Sequence, residues 1–244
     1  MDGREEKRAK GREDSEFGFT AHSIVVPRSA RYYTLGATHG FPRELWIVCH
    51  GYGQLAGRFI QQFAGLEDGT RLIVAPEALS RYYLDPIPER RHQREPRVGA
   101  TWMTREDRNA EIADYVRYLD LVAAEVRRHL AGAAPRIVVL GFSQGTATVS
   151  RWLAASDLRA DQLVLWSGSI PPELDLAAWA ARLHGASITL VAGEADELAT
   201  PAAVAAEAER LSLAGVAFTL QRFGGGHALD PDALEALAAS FTGS

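Results

Sequence analysis

The sequence predicts an α/β protein with an open, mostly parallel sheet that is flanked by helices on both faces. Three observations lead to this class: short apolar runs recur along the chain, amphipathic helical patterns separate them, and the links between the two are short. Continuous apolar runs are typical of strands that are buried on both sides, as in a parallel sheet. The alternation of such strands with helices favours helices on both faces of that sheet.

The strands are predicted from the apolar runs in chain order. Two runs near the start, 17–27 and 30–36, are separated at Pro27, and we expect them to pair as antiparallel strands at one edge of the sheet. The remaining strands are predicted at 45–51, 71–77, 136–142, 162–168, 187–193 and 216–223.

The helices are predicted from apolar periodicity and from their start and stop signals. One helix begins with Thr200 as its N-cap and Pro201 at its first position, and ends at Gly215. The same start signal, an N-capping residue followed by proline, recurs at Asp230 and Pro231. A longer helix within 105–130 carries an apolar stripe formed by Ile112, Tyr115, Val116, Leu119, Val122 and Val126.

The chain of 244 residues is expected to form a single domain over 17–244. Residues 1–16 contain five basic and six acidic side chains with nothing to bury, and we expect them to be a disordered charged arm. Residues 81–100 contain three prolines and five arginines and show no helix or strand period. We interpret them as a long loop, either a solvated excursion or a rim or lid over the site.

Composition excludes several classes of function. Hydrophobic residues make up 47% of the chain and charged residues 23%, which is ordinary for a globular protein, and the net charge of −5 gives no reason to expect a nucleic-acid partner. One cysteine, Cys49, excludes an intrachain disulfide and a cysteine-based zinc site. No apolar stretch is long enough for a transmembrane helix, and the N-terminus shows no secretory signal. We therefore expect a cytoplasmic protein without integral membrane association.

The segment "GFSQG" at 141–145 matches the pattern G-x-S-x-G, in which a serine projects from a sharp turn between a strand and a helix. A buried strand is predicted before it and a helix after it, as that turn requires. Ser143 is therefore the candidate nucleophile. The N–H of Gln144, the residue that follows the serine, is the expected first donor of an oxyanion hole.

A serine nucleophile needs a base, and the base needs an acid that orients it. Two histidines follow Ser143 in the chain, and His184 is better explained as the last turn of a helix. His227 follows three glycines in "RFGGGHALDP", and we predict it to be the base.

The acid is expected after an intervening strand, because ligands bind at the carboxyl ends of the strands in such sheets. Three residues lie just past the strand at 187–193, and position alone does not choose among Glu194, Asp196 and Glu197.

Four segments in this order, "HGYGQ", "GFSQG", "AGEADELATP" and "GGGHAL", resemble the phospholipase/carboxylesterase branch of the α/β-hydrolases, which includes the acyl-protein thioesterases. The resemblance extends from about residue 44 to the C-terminus. It implies the α/β-hydrolase fold, with Ser143 as nucleophile, Asp196 as acid and His227 as base. It also implies that the N–H of Tyr52 is the second oxyanion donor, beside that of Gln144.

The same resemblance points to substrate contacts at strand ends, with Trp102, Met103 and Ile170 as candidate wall residues. Many members of the branch have a second glycine after "GFSQG" where this chain has Thr146, and the loop after "HGYG" lacks a frequent aspartate. These departures bear on the substrate rather than on the hydrolytic residues.

Two further residues near the first predicted strand end have structural interpretations. His50 is expected to pack and to fix its loop, and Cys49 lies in an apolar run without a turn that would expose it. Neither is predicted to take part in the chemistry.

We therefore expect a serine carboxylesterase that cleaves short- to medium-chain acyl or aryl esters, or thioesters, through an acyl-enzyme. It would need no metal or organic cofactor, and its partner would be a small-molecule ester, while the oligomeric state stays open. The alternatives are a binding protein of the same fold with little turnover, or a lactone hydrolase or perhydrolase that uses the same residues.

Overall fold

The computed structural model describes residues 20–36, 41–90, 94–130, 132 and 134–241. The chain divides into two units, residues 1–30 and 31–244. In the first unit, residues 20–30 are exposed and belong to no helix or strand. The predicted strand at 17–27 is therefore wrong over its described positions, because the apolar run is short and Pro27 has no N–H for a strand ladder. The predicted arm 1–16 lies outside the described residues.

The second unit is built on a sheet of seven strands, and its helix-flanked, mostly parallel architecture confirms the predicted fold class. The strands are β1 (Tyr32–Gly36), β2 (Glu44–Cys49), β3 (Arg71–Pro76), β6 (Arg136–Phe142), β7 (Gln162–Trp166), β8 (Ser187–Gly193) and β9 (Thr219–Phe223). They lie in the order β1-β3-β2-β6-β7-β8-β9. All neighbours are parallel except the edge strand β1, which runs antiparallel to β3.

A separate pair of antiparallel strands lies in the chain between β3 and the long helix at Arg108–His129. Strand β4 (Ser80–Tyr83) pairs with β5 (Val98–Thr101), and the short helix α2 (Ile87–Arg90) lies between them. The prediction of a loop without regular structure over 81–100 is therefore wrong. Each strand has only four residues, so no period develops, and the pairing is visible only in three dimensions.

Helices cover both faces of the main sheet. The remaining ones are α1 (Ala56–Phe59), continued by a 3₁₀ helix (Ile60–Leu66), α3 (Arg108–His129), α4 (Gln144–Ala155), α5 (Leu176–Arg182), α6 (Pro201–Leu213) and α7 (Pro231–Phe241). Alternate residues of β2 point to two separate cores. Leu45 and Ile47 pack into the core beneath α3 to α6, and Trp46 packs into the core beneath α1, the 3₁₀ helix and α7.

The predicted helix starts are present. Thr200 Oγ1 accepts the N–H of Ala203 at 3.2 Å, and Asp230 Oδ1 accepts the N–H of Ala233 at 2.8 Å. These caps fix where α6 and α7 begin, and both helices begin directly beside the carboxyl edge of the sheet. No helix in the described part of the chain has both the length and the apolar character that crossing a membrane would require.

We predict that Glu77→Gln destabilises the fold in a pH-dependent way. Glu77 is buried just after β3, and although burial raises its pKa, hydrogen bonds from Arg31 and Arg81 bring the pKa below its ordinary value. Its stabilising contribution is therefore complete above the unfolded glutamate pKa of about 4.3 and is lost as pH falls through the lower folded value. We expect the substitution to cost about 1–3 kcal/mol at pH 7.

Urea unfolding at pH 7 and at pH 3 measures this effect. The difference between wild type and Glu77→Gln should shrink at the lower pH, whereas Glu209→Gln, at an exposed position on α6, should differ little from wild type at either pH. An equal difference at both values would show that ionisation of Glu77 does not stabilise the fold.

Candidate active site

Ser143 lies on the sharp turn between β6 and α4. Its φ of 54° and ψ of −117° are outside the ordinary regions for a residue with a side chain, which is the strain expected of this type of turn. The turn is held by the N–H of Ser143, which donates to the carbonyl of Trp166 at 2.9 Å. The strained conformation projects the serine hydroxyl beyond the end of β6.

Glycines on each side of Ser143 allow the strand and the helix to approach each other. A Cβ on Gly141 would lie 2.4 Å from the carbonyl oxygen of Gly145, and a Cβ on Gly145 would lie 2.1 Å from that of Cys49. Both clashes are with backbone atoms, which have little freedom to move away. The two glycines of the motif are therefore needed for packing.

We predict that Gly145→Ala destabilises the protein by about 3 kcal/mol or more, because the added methyl group must push α4 away from β2. Urea unfolding monitored by circular dichroism measures the loss. Gly224→Ala is the matched control, since no atom lies within 4 Å of a Cβ at that position. A stability of Gly145→Ala equal to that of the control would show that the strand and the helix are not closely fitted here.

His227 reaches Ser143 from the loop after β9. Its Nε2 lies 2.9 Å from Ser143 Oγ, and its ring packs against that of Phe142, with 5.1 Å between the centroids. The glycine loop that precedes it closes against the end of β8, where the N–H of Ala195 donates to the carbonyl of Gly225 at 3.0 Å. The loop thus carries the imidazole over the carboxyl edge of the sheet and fixes its position.

Asp196 lies on the other side of the same imidazole. His227 Nδ1 is 2.9 Å from Asp196 Oδ2 and 3.1 Å from Oδ1, and the carboxylate is 2% exposed. Burial acts to raise the pKa of Asp196, but the N–H groups of Ala199 and Leu198, each 2.8 Å from Oδ1, and the bond to His227 lower it overall. Asp196 is therefore ionised at neutral pH.

The other two acids that strand position left open are exposed. His184 is also exposed and lies in the turn two residues beyond the end of α5, with a φ of 54°. Asp196 is hydrogen-bonded to the imidazole of His227, whereas Glu194, Glu197 and His184 are not hydrogen-bonded to His227 or to Ser143. Of the candidate acids and histidines, the fold therefore brings Asp196 and His227 together with Ser143.

His50 and Cys49 lie inside the protein at the end of β2. His50 Nδ1 donates to the carbonyl of Gly51 at 2.8 Å and Nε2 accepts the N–H of Ala78 at 3.1 Å, so both ring nitrogens are occupied. Burial lowers the pKa of His50 and raises that of the Cys49 thiol. Both groups are therefore neutral, and His50 holds the start of the loop that follows β2.

The loop after β2 is hydrogen-bonded to β5 of the antiparallel pair β4–β5. Gly51 N–H donates to Gln54 Oε1 at 2.8 Å, the N–H of Gly53 donates to the carbonyl of Ala100 at 2.9 Å, and Ala100 N–H donates to the carbonyl of Gln54 at 3.1 Å. Tyr52, between these fixed residues, exposes its ring and packs it against Tyr82 of β4. The strand pair β4–β5, which the sequence did not predict, therefore positions the backbone around Tyr52.

Gln144 contributes both its backbone and its side chain. It is the first residue of α4, so its N–H has no acceptor within the helix. Its amide Nε2 donates to Thr101 Oγ1 at 2.9 Å and to the carbonyl of Met103 at 3.0 Å, and its Oε1 accepts the N–H of Trp102 at 3.1 Å. The side chain thus joins the serine turn to the end of β5, a role that the sequence analysis did not foresee.

A cavity of about 310 Å³ opens beside Ser143 and His227. It lies between the ends of β7 and β8 and the first turns of α6. Its lining is mostly apolar and includes Ala147, Leu165, Leu190, Leu198, Val204 and Glu207.

The three wall residues that the resemblance suggested lie elsewhere. Trp102 and Ile170 are buried in the core beneath α3 to α6, and Met103 is half-buried with its carbonyl bonded to Gln144. None of the three lines the cavity. Two residues that do line it were not predicted: Leu198 lies within the segment "AGEADELATP", where only the acids were singled out, and Glu207 lies on α6 outside every motif.

The geometry supports proton transfer between a hydroxyl and an imidazole. With Nδ1–H donating to Asp196, Nε2 of His227 is free to accept the proton of Ser143. Among the described residues, no group of three or more histidine, cysteine, aspartate or glutamate side chains is arranged to hold a metal ion.

The known proteins that this chain is similar to include one family and several solved structures. A model of the phospholipase/carboxylesterase family matches residues 38–242. Esterase PE8 superposes with a TM-score of 0.63 at 19% identity, over 88% of this chain and 99% of that chain. Acyl-protein thioesterase 2 of Zea mays gives 0.58 at 14% identity, over 88% and 99% of the two chains. TT1662 of Thermus thermophilus gives 0.60 at 16% identity, over 88% and 98%.

These solved structures share the fold of this chain, and the predicted α/β-hydrolase fold is confirmed. No curated protein matches the chain.

Proposed function

Because the chain belongs to the phospholipase/carboxylesterase family of α/β-hydrolases, we propose that it is a serine hydrolase of carboxylic esters with Ser143, His227 and Asp196 as its catalytic triad. The observation that carries the proposal is the continuous chain of hydrogen bonds from Ser143 Oγ through His227 to the buried Asp196. Such a chain activates a hydroxyl group, which is otherwise a weak nucleophile.

In this mechanism Ser143 Oγ attacks the ester carbonyl while His227 Nε2 takes the hydroxyl proton. His227 then returns that proton to the leaving alcohol, and an acyl-enzyme remains on Ser143. Water, activated by the same imidazole, releases the acid and regenerates the serine. Asp196 holds Nδ1–H toward itself and stabilises the imidazolium that forms in each half-reaction.

The negative charge of each tetrahedral intermediate needs donors that are already in place. We propose the N–H of Gln144 and the N–H of Tyr52 for this role. The first lies at the positive N-terminal end of α4, and the second lies in a loop whose neighbouring residues are fixed to β5. In this route His227 transfers the protons, Asp196 stabilises the imidazolium, and the two N–H groups stabilise the oxyanion.

The cavity supports the proposed substrate class. A volume of about 310 Å³ with a mostly apolar lining suits a short- to medium-chain acyl or aryl group. The same attack cleaves a thioester, so both oxyesters and thioesters belong to the proposed range. Trp102, Met103 and Ile170 are not assigned to substrate contacts, since they lie outside this cavity.

The proposal is tested by covalent labelling and turnover together. A fluorophosphonate probe should label the wild-type protein at Ser143, and a p-nitrophenyl ester panel from acetate to octanoate should be hydrolysed with a preference for the shorter chains. Mass spectrometry of the labelled peptide identifies the modified residue. Labelling without turnover of any ester would instead favour a binding protein of this fold, and labelling at another residue would overturn the assignment.

A further inference from the structure

One acidic residue lines the mostly apolar cavity beside Ser143. Glu207, on the inner face of α6, is 9% exposed and lines the cavity together with Leu165, Leu190 and Val204. Among the described residues that form this lining, Glu207 is the one that carries a formal negative charge. A buried carboxylate in an apolar wall is costly unless it is paired and hydrogen-bonded.

Glu207 is held in one orientation by three hydrogen bonds. Its Oε1 accepts the N–H of Ile170 at 2.8 Å and Arg210 Nη2 at 2.9 Å, and its Oε2 accepts Arg210 Nε at 3.0 Å. Arg210 Nη2 also donates to the carbonyl of Ile170 at 2.7 Å. The ion pair therefore fixes the backbone of Ile170 at both of its polar groups and holds the carboxylate of Glu207 in one orientation.

The bonds leave acceptor capacity on Glu207. A carboxylate oxygen offers two lone-pair positions. Both positions of Oε1 are occupied, whereas Oε2 accepts one bond and keeps a second position. A donor in the cavity can use that position without breaking the ion pair, and a bond to a charged acceptor is stronger than a neutral one.

The charge also determines what the cavity excludes. An alkyl chain that reaches Glu207 would displace water from the carboxylate and return no hydrogen bond, which costs free energy. A hydroxyl group at the same place replaces the water with a bond of the same kind. A substrate chain that ends in a carboxylate would be repelled by the negative charge of Glu207.

We propose that Glu207 is a specificity-determining residue that selects ester substrates whose cavity-filling chain ends in a hydroxyl group rather than in a methyl group. This inference rests on the proposed ester hydrolysis at Ser143 and adds the chemical class of the substrate to it. The enzyme therefore acts on esters of hydroxylated chains in preference to esters of simple fatty acids or simple alcohols of equal length.

The test compares ester pairs that differ only at the chain end. On the acyl side, p-nitrophenyl 6-hydroxyhexanoate and 8-hydroxyoctanoate are each compared with the straight-chain ester that has a methyl group in place of the hydroxyl. On the alcohol side, the monoacetate of hexane-1,6-diol is compared with heptyl acetate. In at least one of these series, kcat/KM of the wild-type enzyme is expected to favour the hydroxylated ester by about tenfold, as one bond to a charged acceptor contributes.

Two variants connect the preference to Glu207. Glu207→Gln keeps the size of the side chain and an acceptor for the Ile170 N–H but removes the charge, and the hydroxyl preference should fall to about threefold or less. Glu209→Gln makes the same chemical change two residues away at an exposed position of α6 and should keep the wild-type ratio. Because the readout is a ratio of two substrates on one protein, a general loss of activity does not imitate the effect.

The outcomes separate this inference from the function on which it rests. If the wild type hydrolyses both members of every pair equally, or favours the methyl ester, the role of Glu207 is overturned while the esterase assignment stands, and this measurement does not depend on the stability of any variant. An unchanged ratio in Glu207→Gln also overturns it. If no ester is hydrolysed and Ser143 is not labelled, the proposed function itself fails.

Discussion

Replacing Ser143 with alanine is expected to lower kcat for p-nitrophenyl acetate by about 10⁵-fold or more, because the whole covalent route passes through its hydroxyl. The remaining rate should reflect only what the oxyanion donors and substrate binding contribute. The substitution leaves the strained turn and the bond from the Ser143 N–H to Trp166 in place, so the protein should keep its fold.

Steady-state kinetics and fluorophosphonate labelling measure the effect together. Ser143→Ala should take up no probe, and circular dichroism should match that of the wild type. Ser212→Ala is the matched control, since it removes an exposed serine hydroxyl on α6 that donates to the carbonyl of Ala208 at 2.9 Å. Retention of more than a small fraction of the wild-type kcat by Ser143→Ala would mean that another residue is the nucleophile.

The second large effect is expected at Asp196. Asp196→Asn should lower kcat by about 10⁴-fold while leaving KM nearly unchanged. An asparagine can keep one oxygen for the N–H groups of Leu198 and Ala199, so the loop stays in place. Its NH₂ group then faces His227 Nδ1, which must accept instead of donate. The proton therefore moves to Nε2, where the imidazole can no longer take the proton of Ser143.

The neighbouring acids supply the control for this prediction. Glu194→Gln and Glu197→Gln remove one negative charge each at exposed positions beside Asp196 and should leave kcat within about twofold of wild type. A large loss in either variant, or a modest one in Asp196→Asn, would show that the imidazole is oriented by a different carboxylate. The rate of fluorophosphonate labelling gives a second readout that does not depend on ester binding.

The fold was largely predictable because its signals are local. Seven of the eight predicted apolar runs form strands of the main sheet, and Thr200, Pro201 and Asp230 mark helix starts where the structure has them. The failures occurred where the signal was short or needed a distant partner. Residues 20–27 form no strand, and the four-residue strands β4 and β5 exist because they pair with each other.

The candidate site also contains residues that the sequence predicts and residues that only the tertiary structure identifies. The serine on its turn and the histidine after its glycines are visible in sequence, because turn chemistry and glycine content are properties of a few consecutive residues. Strand position alone left three acids open. The contact of 2.9 Å between Asp196 and His227 distinguishes them, and that distance depends on how two loops meet above the sheet.

By itself, then, the sequence determined the α/β class, the order of most strands and helices, and the residue types available for nucleophile and base, since each of these depends on neighbours along the chain. The tertiary structure shows that Asp196 is the acid that faces the imidazole, which only the family resemblance had indicated. It alone shows that the Gln144 amide joins the serine turn to β5 and that Glu207 lines the cavity beside Ser143. These are relations between segments tens of residues apart, and packing the helices on the sheet is what brings them together.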